Sequence, residues 1–285
     1  MRRILLTVAY DGTGYSGFQA QKSGVPTIAK ELDEALHSLT GEEIAVSGAS
    51  RTDAGVHALC NLVVFDTASR IPGHKFAAAL NVRLPEQIRV QCSREVEPDF
   101  HPRFCDTVKT YEYRIYNAAV PSPMHRLYAM YSYTPFDVDR MKRAAACLVG
   151  THDFASFCSV YTQAKTTVRT ITAVEVSEAP CRAERASWSA DEGAAEVSGA
   201  SSEKPRAGVL PRMITIRVSG TGFLYNMVRI IAGTLMEVGR GAVEPEALPG
   251  ILEARDRQKA GPTAPPEGLT LVKYEILRQK MLQKN

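Results

Sequence analysis

The residues best suited to chemistry lie in one short segment, residues 48–58, which has the sequence GASRTDAGVHA. The segment gathers an Arg, a Thr, an Asp, a Gly and a His among small neighbours, directly after a predicted strand. From the residues alone, Asp53 has two interpretations. An Asp in such a loop most often makes an Asx turn or caps a helix. The alternative is a carboxylate presented at the loop tip, beside Arg51, for binding or catalysis.

A second pattern is formed by Gly12, Gly14 and Gly17, which give G-x-G-x-x-G directly after a predicted strand. This spacing is part of the fingerprint of dinucleotide-binding proteins. The fingerprint requires the third Gly to open a helix inside a parallel βαβ unit. Gly24 and Pro26 instead keep the following residues irregular. We therefore favour other functions over an NAD-linked dehydrogenase.

The elements that position these residues follow from hydrophobic periodicity and from turn residues. Thr27 is suited to cap a helix that begins at Ile28, and Gly41 is suited to end it in a left-handed conformation. Further helices are predicted at 75–82, 138–148, 223–238 and 245–255. Strands are predicted at 4–10, 44–47, 62–67, 88–96, 108–116, 167–177, 213–219 and 269–277.

The predicted strands and helices give an α+β fold made of two similar halves. Several strands alternate polar and apolar residues, which is typical of antiparallel or mixed sheets with one face covered by helices. We expect an N-terminal domain at residues 1–107, which carries the loop around Asp53, and a C-terminal domain at residues 108–285. Residues 178–211 are rich in Ala, Ser and Glu, so we expect a flexible surface insertion there.

Composition places the chain among ordinary globular proteins and excludes several classes. The six cysteines are scattered singly, which matches neither zinc-site nor thioredoxin spacing. No stretch approaches the roughly 18 apolar residues that a membrane-spanning helix needs. The formal net charge is +3 and the pI about 8.5, so an RNA site has to come from clustered charge. We expect a cytoplasmic protein with reduced thiols and no membrane attachment.

Several segments together resemble one enzyme family. RTDAGVHA, in residues 51–58, is similar to the defining motif of the TruA family of tRNA pseudouridine synthases. The similarity continues in the same order through five other blocks, at residues 10–19, 109–115, 150–158, 222–241 and 260–274. One position departs from the family, which most often has Gly where Ser50 stands. If the backbone there required a positive φ, Ser50 would be strained.

The resemblance implies the pseudouridine synthase fold and an activity. Members convert uridine to pseudouridine at positions 38, 39 and 40 in the anticodon stem-loop of tRNA. The reaction breaks a glycosidic C–N bond, turns the uracil and rejoins it through carbon. It consumes no group donor and exchanges no electrons, so no cofactor and no metal are expected. The family works as a homodimer that shares one tRNA, and we expect the same here.

The resemblance also implies site residues by their positions in the motifs. Asp53 matches the catalytic carboxylate and Arg229 matches the Arg expected to keep it ionised. Tyr111 matches the aromatic residue that stacks on the everted base, although an alternating strand alone would allow Tyr113 equally well. Arg51 is expected to bind the flipped nucleotide or its phosphate, and Leu269 is expected to pack against the uracil. Other basic residues are candidates for the tRNA surface: Lys22, His74, Lys75, Arg83, Arg103, Lys109, Arg114, Lys165 and Arg169.

Overall fold

The fold was analysed in a computed structural model, which describes residues 1–21, 24–181 and 210–278. Its strands are β1 (Arg2–Tyr10), β2 (Ser47–Gly48), β3 (His57–Thr67), β4 (Ile88–Val96), β5 (Asp106–Asn117), β6 (Met130–Ser132), β7 (Gly150–Asp153), β8 (Val168–Pro180), β9 (Arg212–Gly220) and β10 (Leu269–Arg278). Its α-helices are α1 (Ile28–Thr40), α2 (Phe76–Asn81), α3 (Val138–Ala145), α4 (Met227–Gly239) and α5 (Leu248–Ala254).

The strands form one mixed sheet in the order β4-β1-β3-β10-β5-β9-β8-β7, with β2 paired to β3 and β6 paired to β5. Nearly all pairings are antiparallel; β10 with β3 and β6 with β5 are parallel. The predicted α+β class with a mixed sheet is therefore confirmed. Strand β1, which precedes the glycine-rich segment, pairs antiparallel with both of its neighbours, so this segment does not belong to a parallel βαβ unit.

The last strand, β10, lies in the middle of the sheet between the strands of the two predicted halves. Thr270 pairs with His57 of β3, and Leu269 pairs with Tyr113 of β5. The expected boundary near residue 107 falls at the start of β5. Both sets of strands therefore share a continuous backbone hydrogen-bond network through β10.

Helix α1 shows how local sequence sets the ends of an element. The side chain of Thr27 accepts a hydrogen bond from the backbone N–H of Lys30, and Gly41 ends the helix with φ of 74°. Its apolar residues, among them Leu32 and Leu36, face the core and are fully buried. An amphipathic helix with both ends capped is stabilised chiefly by such packing. The predicted capping of this helix is confirmed.

The main core lies between the sheet and the helices, as strand alternation requires. Ile4 and Leu6 of β1 and Tyr113 and Ile115 of β5 are fully buried in it. Residues between them in sequence point to the other face, where Leu5 belongs to a smaller cluster with Val64, Phe100 and two others.

The structure corrects several predicted boundaries. Helix α4 begins at Met227 rather than residue 223, and β2 is limited to Ser47–Gly48. Strand β3 begins at His57, five residues earlier than predicted, and the short strands β6 and β7 were not predicted. Strands β8 and β9 extend to Pro180 and from Arg212, so the first residues of the predicted insertion belong to the sheet. Residues 182–209 of that insertion, and Lys22, lie outside the described residues.

A search of the described part of the chain finds no helix with the length and apolar character needed to cross a membrane.

Candidate active site

The loop that carries Asp53 connects β2 to β3 and is stabilised by hydrogen bonds to the side chain of Asn61. The buried Asn61 amide accepts the backbone N–H of Ser50 at 3.1 Å and donates to its carbonyl at 2.9 Å. It also donates to the hydroxyl of Tyr10, which in turn lies 2.8 Å from the hydroxyl of Thr52. Buried polar groups that satisfy one another in this way rigidify the segment that carries them. The backbone on both sides of Arg51 is therefore fixed.

The glycine-rich segment after β1 packs directly on this loop. Gly17 has φ of 92°, and a Cβ on it would lie 2.8 Å from the carbonyl oxygen of Thr52. The amide of Phe18 donates to the same Thr52 carbonyl at 3.1 Å. Gly17 thus allows two backbones to approach closely. This contact accounts for the third glycine of the G-x-G-x-x-G pattern without a nucleotide.

Asp53 forms an ion pair with Arg229 across the two halves of the chain. Arg229 Nη1 lies 3.5 Å from Asp53 Oδ2, at the long end of hydrogen-bond distance, and both side chains are largely buried. The guanidinium is fixed by two further bonds, from Nε to the carbonyl of Ala264 at 2.7 Å and from Nη1 to Asn226 Oδ1 at 3.0 Å. Its position therefore does not depend on the carboxylate alone.

The two residues that fix Arg229 occupy unusual backbone positions beside α4. Asn226 is the residue before the helix and has φ of 61°, a left-handed conformation that Asn tolerates better than most residues. Ala264 belongs to the loop at residues 260–268, which packs along α4. A Cβ on Gly233 would overlap the carbonyl of Pro262, so only glycine lets the loop come this close. The Ala264 amide also donates to the Arg229 carbonyl at 3.1 Å.

Burial is the largest influence on the ionisation of Asp53. Desolvation raises the pKa of this carboxyl above its ordinary value, and the charge and hydrogen bond of Arg229 lower it again without fully offsetting the burial. Desolvation disfavours the charged form of an acid, whereas a nearby cation favours it. Of the two opposing influences on the pKa of Asp53, desolvation is the larger.

Asp53 lies in a cavity of about 660 Å³ that is also lined by three of the other four predicted site residues. Tyr111, Leu269, Arg51 and Asp53 all line it. Tyr111 is 8% exposed, and its ring packs edge-on against Phe223 with centroids 5.1 Å apart. Tyr113 is instead fully buried, and its hydroxyl donates to the Pro265 carbonyl at 2.9 Å. The structure thus separates the cavity tyrosine from the core tyrosine.

Arg229 is paired with the cavity aspartate. The structure therefore brings together all five residues that the sequence singled out.

Three cations on one side of the cavity have no matching carboxylates. Arg51, Arg103 and Lys109 line the cavity, and in the residues that the structure covers none of them forms a salt bridge. Burial and the neighbouring Arg103 lower the pKa of Lys109 to about 8. Burial and then Arg51 lower the pKa of Arg103. Burial is the larger cause of both shifts, and the repulsion between neighbouring cations adds to it, so this part of the cavity is suited to an anion.

The remaining features of the cavity are mostly residues that sequence reasoning did not assign. Ser50 does not have a positive φ, so the strain considered for it does not occur. Asn226 was placed inside a predicted helix, although an Asn before an apolar run is itself a signal for a left-handed turn.

Of the basic residues considered for tRNA, Arg114 lines a different cavity and pairs with Glu112 at 2.6 Å.

Comparison with known proteins agrees with the fold. The family model described as tRNA pseudouridine synthase matches residues 6–105 and 144–275. The mixed sheet flanked by helices is consistent with the pseudouridine synthase fold.

Relatives that match nearly the full length of this chain identify its family more narrowly. A protein named tRNA pseudouridine synthase A from Acetivibrio thermocellus is 42% identical over 272 residues, which cover 95% of this chain and 98% of the relative. One of the same name from Brevibacillus brevis is 43% identical over 271 residues, with 95% and 98% covered. A protein named tRNA pseudouridine synthase A 2 from Clostridium perfringens is 41% identical over 273 residues, with 96% and 99% covered. The chain belongs to the TruA family of tRNA pseudouridine synthases, which are isomerases.

Proposed function

We propose that the chain isomerises uridine to pseudouridine at positions 38, 39 and 40 of the tRNA anticodon stem-loop, with Asp53 as the catalytic carboxylate. The observation that carries this proposal is the buried Asp53–Arg229 pair inside a cavity that also holds Tyr111 and Leu269. The names of the relatives support tRNA as the substrate and pseudouridine as the product, and the cavity supports Asp53 as the acid.

The geometry suits an everted base. A uridine in a stem is paired and stacked, so the enzyme has to extrude it at a cost of a few kcal/mol. Stacking on an aromatic side chain recovers about 1–3 kcal/mol per base. Tyr111 and Leu269 provide the aromatic and aliphatic surfaces of the cavity, and Asp53 lies among them. A cavity of about 660 Å³ accommodates one nucleoside and part of its backbone.

The reaction balances within one nucleotide. The N1–C1′ bond breaks, a C5–C1′ bond forms, and the proton on C5 moves to N1. An ionised carboxylate assists by attack at C1′, by addition to the uracil or by removal of a ribose proton, and the three routes use the same oxygen atoms in nearly the same place. Arg229 favours the ionised form of Asp53 in each case.

Arg51, Arg103 and Lys109 are suited to bind the backbone of the flipped nucleotide. A guanidinium binds phosphate through two parallel hydrogen bonds, and these cations lack carboxylate partners in the described chain. Phosphate contacts make affinity fall steeply with salt. We assign Arg51 to the phosphate or ribose nearest to the target base, because it is exposed at the cavity and lies two residues from Asp53.

We also propose that the enzyme is a cytoplasmic homodimer whose two subunits share one tRNA. The cytoplasmic assignment is supported by the substrate and by five cysteines that are free thiols, Cys60, Cys92, Cys147, Cys158 and Cys181. Sedimentation of the purified protein, alone and with tRNA, tests the dimer and the ratio of one tRNA per two subunits.

The decisive experiment is incubation of the purified protein with an unmodified tRNA transcript, without added cofactor, followed by mapping of pseudouridine. We expect product at positions 38, 39 or 40. Asp53→Asn should lose turnover while it retains tRNA affinity, since the amide keeps the shape but not the charge. Undiminished turnover by Asp53→Asn would contradict the role of this residue. A wild-type protein that binds tRNA without modifying it would identify an RNA-binding module instead.

A further inference from the structure

The loop after the 3-10 turn Ala155–Phe157 carries an aromatic side chain to the mouth of the catalytic cavity. Tyr161 lines this cavity and is 82% exposed, against 46% for Tyr225 and 8% for Tyr111 in the same lining. The neighbouring Val160 is 76% exposed. Exposed aromatic residues beside a functional cleft are a feature of binding surfaces.

Hydrogen bonds give this loop a defined conformation. The Ser159 amide donates to the Tyr225 carbonyl at 3.1 Å, which attaches the loop to the segment before α4. The Thr162 amide donates to the Ser159 carbonyl at 3.1 Å and closes a turn around Tyr161. The Ala164 amide donates to the Thr162 hydroxyl at 3.2 Å. The turn thus holds the backbone of Tyr161 in place while its ring stays in solvent.

The surroundings of Tyr161 favour a nucleotide over an apolar partner. Arg51, Arg103 and Lys109 line the same cavity and leave it with unbalanced positive charge. Across the described chain, no ring contact involves Tyr161. Grooves that combine cations with exposed aromatic residues bind unpaired nucleic acid, because the cations follow the backbone and the rings stack on bases.

We propose that Tyr161 stacks on the base of a nucleotide next to the target uridine and holds it unpaired while the target occupies the cavity. The inference rests on the proposed function, since it requires an RNA whose target base enters beside Asp53. Tyr111 receives the target base within the cavity, whereas Tyr161, at the rim, receives a neighbour that has left the stack. Both bases separate from the stem together, and each gains an aromatic surface.

The first test compares three variants on the tRNA that the wild-type enzyme modifies. Tyr161→Ala should weaken tRNA affinity and raise KM by about 5- to 150-fold, which is ~1–3 kcal/mol of stacking at ~1.4 kcal/mol per tenfold. Tyr161→Phe should stay near wild type, because it keeps the ring. Tyr133→Ala removes a tyrosine that is 72% exposed and lines no part of the cavity, so it should change neither value.

Salt dependence separates stacking from charge. Tyr161→Ala should lower affinity equally at every salt concentration, since no phosphate contact is lost. Arg103→Ala should lower the slope of log affinity against log salt by about one. A change of slope in Tyr161→Ala would overturn the stacking role. A change in the oligomeric state of Tyr161→Ala relative to the wild type would overturn it as well.

The second test identifies the nucleotide. Abasic residues are placed one at a time on either side of the target in a stem-loop RNA, and affinity is measured for the wild type and for Tyr161→Ala. At one flanking position the abasic RNA should weaken wild-type binding but leave Tyr161→Ala binding unchanged. If every abasic position affects both proteins equally, the inference is wrong. If the wild type forms no pseudouridine in the intact RNA, the proposed function itself fails, and the two failures are thereby distinguished.

Discussion

At the scale of single residues, the catalytic role that we propose for Asp53 couples activity to pH, because the carboxyl is buried. Its pKa is raised in the folded protein, so the carboxylate gains its proton at a higher pH than an exposed Asp does. The folded state binds this proton more tightly than the unfolded chain does, so protonation of Asp53 stabilises the fold. This stabilisation is complete below the unfolded pKa, and it is lost as pH rises through the folded pKa.

The first prediction concerns Arg229. Removing its charge in Arg229→Gln leaves the buried carboxylate without its cation, so the pKa of Asp53 should rise further. We expect the acid limb of the single-turnover rate to move to higher pH and to fall about tenfold per pH unit for one proton. Arg229→Lys keeps a charge and should show a smaller displacement. A rate profile of Arg229→Gln with the wild-type acid limb would contradict the role of Arg229.

Lys109 provides the second prediction. Its pKa is lowered to about 8 by burial and by Arg103, so it loses its positive charge just above physiological pH. We expect tRNA affinity to fall as pH rises from 7 to 9, with one phosphate contact fewer and a salt slope smaller by about one. Binding is best measured in the Asp53→Asn background, where no product forms.

Lys109→Arg is the matched control, since a guanidinium stays charged throughout this range. Its affinity should vary little between pH 7 and 9. An equal fall of affinity in the wild type and in Lys109→Arg would assign the pH dependence to another group. Stability changes with pH in the opposite direction to tRNA affinity. Because the pKa of Lys109 is lowered in the folded state, the fold becomes more stable as pH rises from about 8 toward the unfolded pKa.

At the scale of elements, the contact between α4 and the loop at residues 260–268 positions the guanidinium. The loop supplies the Ala264 carbonyl to Arg229, and the Gly261 amide donates to the Thr234 hydroxyl at 2.9 Å. The loop reaches the helix only because Gly233 has no side chain. A residue more than one helical turn from Arg229 along the sequence therefore controls its orientation.

The third prediction follows from this contact. Gly233→Ala should force the loop away from α4, reduce the free energy of unfolding by about 1–3 kcal/mol as overpacking does, and reduce kcat at least about tenfold by ~1.4 kcal/mol of lost positioning. Gly250→Ala in α5 is the control. A Cβ there has no neighbour within 4 Å, so helix propensity should leave stability unchanged or raise it by roughly 0.5–1 kcal/mol. Full activity in Gly233→Ala would contradict the coupling.

Much of this architecture was predictable because it depends on local periodicity. The α1 caps, the limits of β4 and the mixed character of the sheet all follow from residue patterns that extend over one element. The start of α4 was predicted four residues too early, since apolar residues 223, 224 and 227 continue the helical period although Asn226 adopts a left-handed conformation. Periodicity reports which residues are buried, not the backbone conformation that buries them.

The site was predictable to the extent that it lies in motifs. The five assigned residues come together, and their motifs lie far apart in sequence. Lys109 and Arg103 could be named as basic residues, but their crowding and the lowered pKa of Lys109 depend on distances that no sequence period encodes. Asn61 lies just before the strand predicted at residues 62–67, so no strand pattern assigned it a position, and only the structure shows it bonded to Ser50 and Tyr10.

At the scale of the whole molecule, the residues of the proposed site are divided between the two halves that we propose, residues 1–107 and 108–285. Asp53 and Arg51 belong to the first, and Tyr111, Arg229 and Leu269 belong to the second. Strands β8 and β9 are connected through residues 181–211. The Cys181 amide donates to the Pro211 carbonyl at 2.8 Å, so the chain leaves and re-enters the sheet at paired positions.

The fourth prediction is that this connection can be shortened. Replacing residues 182–210 by Asn-Gly, the dipeptide favoured in two-residue hairpin turns, should preserve the β8–β9 pairing and the activity. A shorter loop has a smaller closure entropy, so we expect stability to rise by up to roughly 2 kcal/mol. Thermal unfolding and tRNA turnover are the measurements. A loss of tRNA affinity with intact folding would assign the replaced segment to the RNA surface instead.

The central place of β10 bears on how the protein is made. During translation, β3 and β5 emerge early, but the strand that joins them in the finished sheet leaves the ribosome after all the others, and it brings Leu269 with it. Until then the nascent chain presents two open strand edges and a pocket without its aliphatic wall. Products that end before β10 therefore lack one residue of the proposed site, and their unpaired strand edges are exposed to pairing with other chains.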